Sequence, residues 1–239
     1  EGTERTVVFL GVGFETTTPG AAQASLEARR RGISNFRVLG CHRRVVPALE
    51  ALLRNPALRL DGFLLPGHVS VVLGSDAYRF LAGRGVSGVV AGFEPVDILR
   101  ALVRLLELIE GGHPGVENQY PRLVSASGNL RALAAMDEVF EPVDAPWRGL
   151  GVLPESGLRL RRDFADFDAL RLLDDAQLRA IEENAADESG CLCGEVLTGL
   201  VSPLECPFFG EACTPESPIG PCMVSSEGTC AAYYKYQAR

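Results

Sequence analysis

Four apolar runs alternate with helical patterns over the first 112 residues, and this alternation restricts the fold more than any other feature of the chain. The runs are 6–15 (TVVFLGVGFE), 36–42 (FRVLGCH), 61–70 (DGFLLPGHVS) and 86–94 (VSGVVAGFE). Near-continuous apolar runs suit strands buried on both faces, as in a parallel sheet. The helical segments are 21–32, 47–55, 75–85 and 95–112. The last places Val96, Leu99, Val103, Leu106 and Ile109 at helical spacing and stops at Gly111-Gly112. Strand and helix alternating in this way imply an α/β fold: a parallel sheet with right-handed crossover helices.

Polar residues collect where the runs end. The first ends in Gly13-Phe14-Glu15 and the fourth repeats the tripeptide as Gly92-Phe93-Glu94. The second ends in Cys41-His42 and the third carries Gly67-His68. Ligands of open parallel sheets bind outside the carboxyl ends of the strands. Glu15, His68 and Glu94 are therefore candidates for a cleft, set against the plain reading that Gly and polar residues are ordinary loop chemistry. Gly11-Val12-Gly13 is not a dinucleotide fingerprint, because the third Gly and the ribose-binding acid are missing. Thr18-Pro19 reads as an N-cap with Pro at N1, and Glu94-Pro95 reads the same way. Thr16, Thr17 and Thr18 offer hydroxyls to an anion at that helix start, although capping alone explains one of them.

Beyond these runs, 127–141 reads as a helix capped by Ser127 or Asn129, and the only Trp, Trp147, reads as a packing residue. Residues 163–189 are acidic and rich in Leu and Ala, as in an exposed helix or linker. The expected domains are an α/β domain over 1–160, an acidic helical linker over 161–190 and a cysteine-rich domain over 191–239. A formal charge of −8 argues against a nucleic-acid partner, which requires a basic footprint. No apolar run of 18 residues suggests a membrane span. The start at Glu1, without Met, suggests that an upstream part is missing.

Six of the seven cysteines, Cys191, Cys193, Cys206, Cys213, Cys222 and Cys230, fall in the last 49 residues among Pro and Gly. Zinc sites usually show paired C-x2-4-C knuckles, and only Cys191 and Cys193 are close here. A disulfide framework suits small secreted domains, whereas this segment follows a large α/β domain with one cysteine, as in a cytoplasmic protein. An iron–sulfur cluster takes thiolates from irregular loops at wide spacing. Spacing leaves all three open and leans modestly towards the cluster.

Several strings together carry a resemblance. GFETTTP (13–19), PGHVS (66–70), AGFEP (91–95), ENQYPR (117–122), WRGLGV (147–152), CGEVLTG (193–199), CPFFG (206–210) and MVSSEGTCAAYYKY (223–236) resemble, in order, the HypD family of nickel–iron hydrogenase maturation factors. The resemblance implies a 4Fe–4S cluster held by Cys193, Cys206, Cys213 and Cys230, with Cys191 and Cys222 outside the ligand pattern. It implies a HypC-like chaperone and a HypE-like cyanide donor as partners. Together these assemble an iron centre with two cyanides and one carbon monoxide, delivered later to the hydrogenase large subunit. In that family the nascent iron is held upstream, by a Cys-Gly-Gly-His motif that these 239 residues lack, as they lack the family's Cys-Pro-x-Cys pair. The chain thus resembles the middle and C-terminal parts of such a protein, and the family does not hold its iron at Cys41-His42. Two other readings remain open: an iron–sulfur oxidoreductase with a small substrate in the sheet-edge cleft, and a binding module stapled by zinc or disulfides.

Overall fold

A computed structural model describes residues 5–58, 60–147, 149–184 and 190–236. The chain divides into two compact units. One comprises Glu1–Leu49, Leu60–Asp144 and Pro154–Leu173, and the other Glu50–Arg59, Ala145–Leu153 and Asp174–Arg239.

In the first unit, β1 (Val7–Gly13) is followed by α1 (Thr18–Arg30) and β2 (Phe36–His42). The two strands pair in parallel from Val7 opposite Phe36 to Gly13 opposite His42. Next come α2 (Val45–Leu53), β3 (Gly62–Pro66), α3 (Gly67–Leu73), α4 (Phe80–Gly83), β4 (Ser87–Ala91), α5 (Pro95–Glu110) and β5 (Val116–Asn118). These give a second parallel sheet in the order β3-β4-β5. α6 (Leu130–Val139) then leads into the two-stranded sheet of β6 (Phe140–Trp147) and β7 (Gly151–Leu160).

The parallel α/β architecture is thus present, as two sheets and not one. The reason lies in β2, whose second edge is occupied by later chain. Val38 bridges Asp168, Arg43 bridges Gly157, and the Arg44 N–H donates to the Ser156 carbonyl at 2.8 Å. No edge of β2 is left for β3. Consequently Glu15, Cys41 and His42 end one sheet while His68 and Glu94 end the other.

The core of the first sheet is built on small residues of α1. Ala21, Ala22 and Ala28 let the helix close on Met136, Val139 and Phe140, with Leu158, Phe164 and Phe167 completing the cluster. Phe164 and Phe167 lie in the stretch expected to be an exposed acidic helix or linker. Residues Arg162–Phe167 and Ala169–Leu172 are instead 3-10 turns, whose aromatic side chains turn inward while the intervening acids stay outside. Residues 185–189 of that expected stretch lie outside the described residues.

α5 also differs from its periodicity. Its buried face is Asp97, Ala101, Leu105 and Leu108, packed on a fully buried β4. Val96, Leu99, Val103 and Leu106 are exposed. The small Ala101 lets the helix approach the strand, which selects that face over the bulkier stripe. The helix expected over 127–141 forms as α6, and Asn129 is its cap, accepting from the Ala132 N–H at 3.1 Å. At α1 the cap position is Thr17, without a side-chain cap bond. The Thr17 and Thr18 hydroxyls both donate back to the Phe14 carbonyl, so neither is offered to an anion.

The second unit contains α7 (Asp175–Asn184), α8 (Cys193–Leu197), α9 (Pro221–Val224) and α10 (Thr229–Tyr236). Its interior is a cluster of Cys193, Val196, Cys213, Cys222, Met223, Cys230 and Ala231. Phe208, Phe209, Ile219 and Tyr234 pack against it.

His42 is fully buried against the edge of the Phe140 ring, at 5.7 Å between centroids. Among the described residues neither ring nitrogen has a hydrogen-bond partner, and burial lowers its pKa from 6.5. Folding therefore favours the neutral ring. This contribution is complete above the unfolded pKa and is lost as pH falls from about 6.5 towards the lowered folded value. Urea midpoints should fall between pH 7.5 and 5, and the slope should flatten in His42→Leu. An equal slope in the variant would remove His42 from the explanation.

Candidate functional site

β3 runs straight into α3, so His68 emerges in the first turn after the strand. Its ring stacks on Phe93, with centroids 4.3 Å apart and planes at 29°. Phe93 and Glu94 follow β4, and the extended backbone of Glu94 turns the chain into Pro95 and α5. Arg122 clamps this corner. Its Nη1 donates to Asp97 Oδ1 at 3.0 Å and its Nη2 to Glu94 Oε2 at 3.1 Å, with a further short bond from Nη2 to Asp97 Oδ2. The guanidinium also lies 4.3 Å from the Tyr120 ring centroid. The Arg122 hydrogen bonds hold the Asp97 carboxyl down at about 2. A side chain at Gly92 would place its Cβ 2.2 Å from Asp97 Oδ2 and 2.7 Å from the Tyr120 ring, so glycine is required there. The segment that delivers Arg122 is self-braced. Asn118 accepts from the Tyr120 N–H at 2.9 Å and donates to the Val124 carbonyl at 2.8 Å.

Of the three cleft candidates, His68 and Glu94 thus share one corner through Phe93. Glu15 is 2% exposed. Both its oxygens accept from the Val45 N–H, at 3.0 and 3.2 Å, where α2 begins, and burial raises its pKa. It is therefore no part of an open cleft. Cys41 and His42 lie on opposite faces of β2, one exposed and one buried, as period-two alternation requires, so they do not act as a ligand pair. Arg122 and Asp97 were missed as members of the corner. Their only signal was an acid three residues into the helix after Glu94 and an arginine closing ENQYPR.

The thiols form the other candidate site. All seven cysteines are free, and Cys193, Cys206, Cys213, Cys222 and Cys230 are each at most 8% exposed. Local structure delivers them in turn. Cys193 opens α8, and the Ser202 N–H bonded to the Glu205 carboxylate at 2.6 Å shapes the turn leading to Cys206. The loop after it folds back on itself. The Phe209 N–H donates to the Cys206 carbonyl at 3.0 Å, the Cys213 N–H to the Phe208 carbonyl at 2.8 Å and the Gly210 N–H to the Cys213 carbonyl at 3.1 Å. Pro221 starts α9 with Cys222 behind it, and Cys230 sits in the first turn of α10.

Three of the four thiols singled out by the resemblance, Cys193, Cys213 and Cys230, share one buried core with Cys222, and Cys206 is buried as well. Burial raises the Cys230 pKa, and Cys193, Cys206 and Cys213 are close enough to add to the rise. The Ile219 N–H donates to Cys213 Sγ at 3.3 Å. Cys222 is packed among the same residues, with its thiol 3.8 Å from the Cys193 carbonyl as a donor. The Cys191 thiol is pushed by burial up to about 11, and its sulfur lies beside Gly220. Among the described residues no three His, Cys, Asp or Glu side chains converge as ligands of a single metal ion. An iron–sulfur cluster would draw on thiols delivered, as these are, by separate short helices and loops.

A family model, HypD, described as the hydrogenase formation hypA family, matches residues 1–237. A hydrogenase maturation factor HypD of Azotobacter vinelandii is 46% identical over 241 residues, covering 98% of this chain and 62% of its own. The Escherichia coli K12 protein of that name is 45% identical over 241 residues, covering 99% and 63%. The Rhodobacter capsulatus one is 47% identical over 237 residues, covering 97% and 62%. The chain therefore spans less than two thirds of the length of these relatives. With the match running from residue 1 to residue 237, the chain belongs to the HypD family.

Proposed function

We propose that this chain binds a 4Fe–4S cluster through Cys193, Cys206, Cys213 and Cys230 and serves hydrogenase maturation as a redox and scaffold component. The observation that supports the reading is that all four thiols are buried, with Cys193, Cys213 and Cys230 in one core. The relatives are hydrogenase maturation factors, and that supplies the process. A bound cluster supplies one-electron storage. The chain's own residues exclude water from it with Phe208, Phe209, Ile219, Met223 and Tyr234, and the Ile219 N–H holds the Cys213 sulfur. Such hydrogen bonds and burial are what tune a cluster's potential.

The substrate of this reading is the iron unit with two cyanides and one carbon monoxide, built with a HypC-like chaperone and a HypE-like cyanide donor in the cytoplasm. The iron itself is held with residues from outside this chain. The corner of His68, Phe93 and Glu94 contributes to binding the assembly or a partner, with an exposed aromatic face beside charged groups. No helix among the described residues is long and apolar enough to cross a membrane.

The test is a chimera in which this chain replaces the matched stretch of the Escherichia coli relative. In a strain lacking that relative, the chimera should restore hydrogenase activity and co-purify with the HypC-like chaperone. His68→Ala in the chimera should cut the restored activity at least about tenfold, about 1.4 kcal/mol of lost interaction. Full activity of that variant would remove the corner from the reading. An iron-loaded chimera that leaves hydrogenase inactive would contradict the maturation role.

A further inference from the structure

The aromatic layer over the thiol core also lines a cavity. α10 carries Cys230, Ala231 and Tyr234 within little more than one turn, so the helix that sets a thiol into the core also sets Tyr234 beside it. Tyr234 meets Phe209 edge to face, with ring centroids 6.2 Å apart and planes at 70°. Both rings pack against the core that holds Cys193, Cys213, Cys222 and Cys230, yet both are only half-buried. With Ala231 and Pro215 they line a cavity of about 670 Å³. Side chains that enclose the thiols on one side are therefore the wall of an open cavity.

The polar lining is sparse and of one sign. Lys235 is the chain's only lysine and the only charged side chain lining the cavity, in a chain of formal charge −8. Ser226 adds a hydroxyl. The ammonium lies 5.0 Å from the Tyr236 ring centroid, and among the described residues no carboxylate pairs with it. Several hundred Å³ of space with aromatic walls and a few polar groups is the form of a small-molecule site. Aromatic faces take a planar ring, and a lysine takes a phosphate as a point charge.

We propose that this cavity binds a flavin phosphate, its ring against Phe209 and Tyr234 and its phosphate on Lys235, as electron donor to the cluster. The lining by itself selects a planar aromatic anion. That the anion is a flavin rests on the cluster reading above, since a cluster takes electrons singly. A flavin releases them singly, whereas a nicotinamide delivers a hydride. In the step, the anionic flavin hydroquinone gives one electron to the oxidised cluster and is left as the neutral semiquinone, so no proton moves.

Flavin mononucleotide and riboflavin are titrated into the anaerobically purified chain, with flavin fluorescence as the readout. Flavin mononucleotide should bind at a single saturable site. Lys235→Gln, at an exposed position, should weaken it at least about tenfold and leave riboflavin, which lacks the phosphate, unchanged. Tyr234→Leu should weaken both ligands alike, by about three- to tenfold. Photoreduced flavin mononucleotide, below saturation, should reduce the cluster about tenfold more slowly in Lys235→Gln, followed as loss of absorbance near ~400 nm. No flavin binding by the iron-loaded protein, or equal affinity in Lys235→Gln, would overturn the site. Self-association that abolishes flavin binding would also overturn it, by assigning the cavity to a second copy. Because binding is read on the flavin, it is measured with or without iron. A zinc-holding protein that binds flavin mononucleotide would keep the site and remove its electron acceptor.

Discussion

Replacing any one of Cys193, Cys206, Cys213 and Cys230 with alanine should bleach the anaerobically purified protein, while Cys191→Ala and Cys222→Ala should leave it brown. Each iron of a cubane takes one protein thiolate, so a missing ligand exposes one corner to solvent and exchange. Binding free energy at a buried metal site is also folding free energy, so the four variants should lose melting temperature along with iron. Iron per chain should fall several-fold in each. Cys222 is the demanding control, because it is 4% exposed and packed in the same core. Removing its sulfur leaves a small cavity and should cost about 1 kcal/mol, with iron retained. If Cys222→Ala loses iron while one of the four keeps it, the ligand set is wrong.

The second large effect lies in a backbone contact. A Cβ on Gly194 would stand 2.1 Å from the Gly149 carbonyl oxygen and 2.9 Å from its Cα. Gly149 in turn has φ +77°, and a Cβ there would meet the Gly194 nitrogen at 2.5 Å. Neither side of this contact is a side chain that can swing away. The strings WRGLGV and CGEVLTG are thus locked together, backbone to backbone, one residue from Cys193. Gly194→Ala should cost about 3 kcal/mol, or roughly 6–12 °C of melting temperature. It should also lower the iron content, because α8 must move to accept the methyl. Leu204→Ala, at a side chain 63% exposed, should stay within about 0.5 kcal/mol of the parent. A Gly194→Ala protein with parental stability and iron would mean that the contact is not tight in solution.

Much of the fold was legible because apolar runs and helical periods act locally. All four strand runs became strands, and Asn129 capped α6 from its own side chain. The split into two sheets was not legible, because it depends on Asp168 and Gly157 reaching β2 from more than a hundred residues away. The same long-range effect misplaced Glu15. Nothing near it in sequence shows that the Val45 amide would take both its oxygens. The outward stripe of α5 was visible as a period but not as a face, since Ala101 decided which side met β4. The loop from Cys206 to Cys213 is local: it closes on its own backbone hydrogen bonds, with Gly210 at φ +77°.

The central claim is that four buried thiols hold an iron–sulfur cluster. Iron, zinc and acid-labile sulfide are measured on anaerobically purified protein, together with its absorption spectrum. The account predicts about four irons and four sulfides per chain, with broad absorbance near ~400 nm. A colourless protein with stoichiometric zinc and no labile sulfide would contradict it.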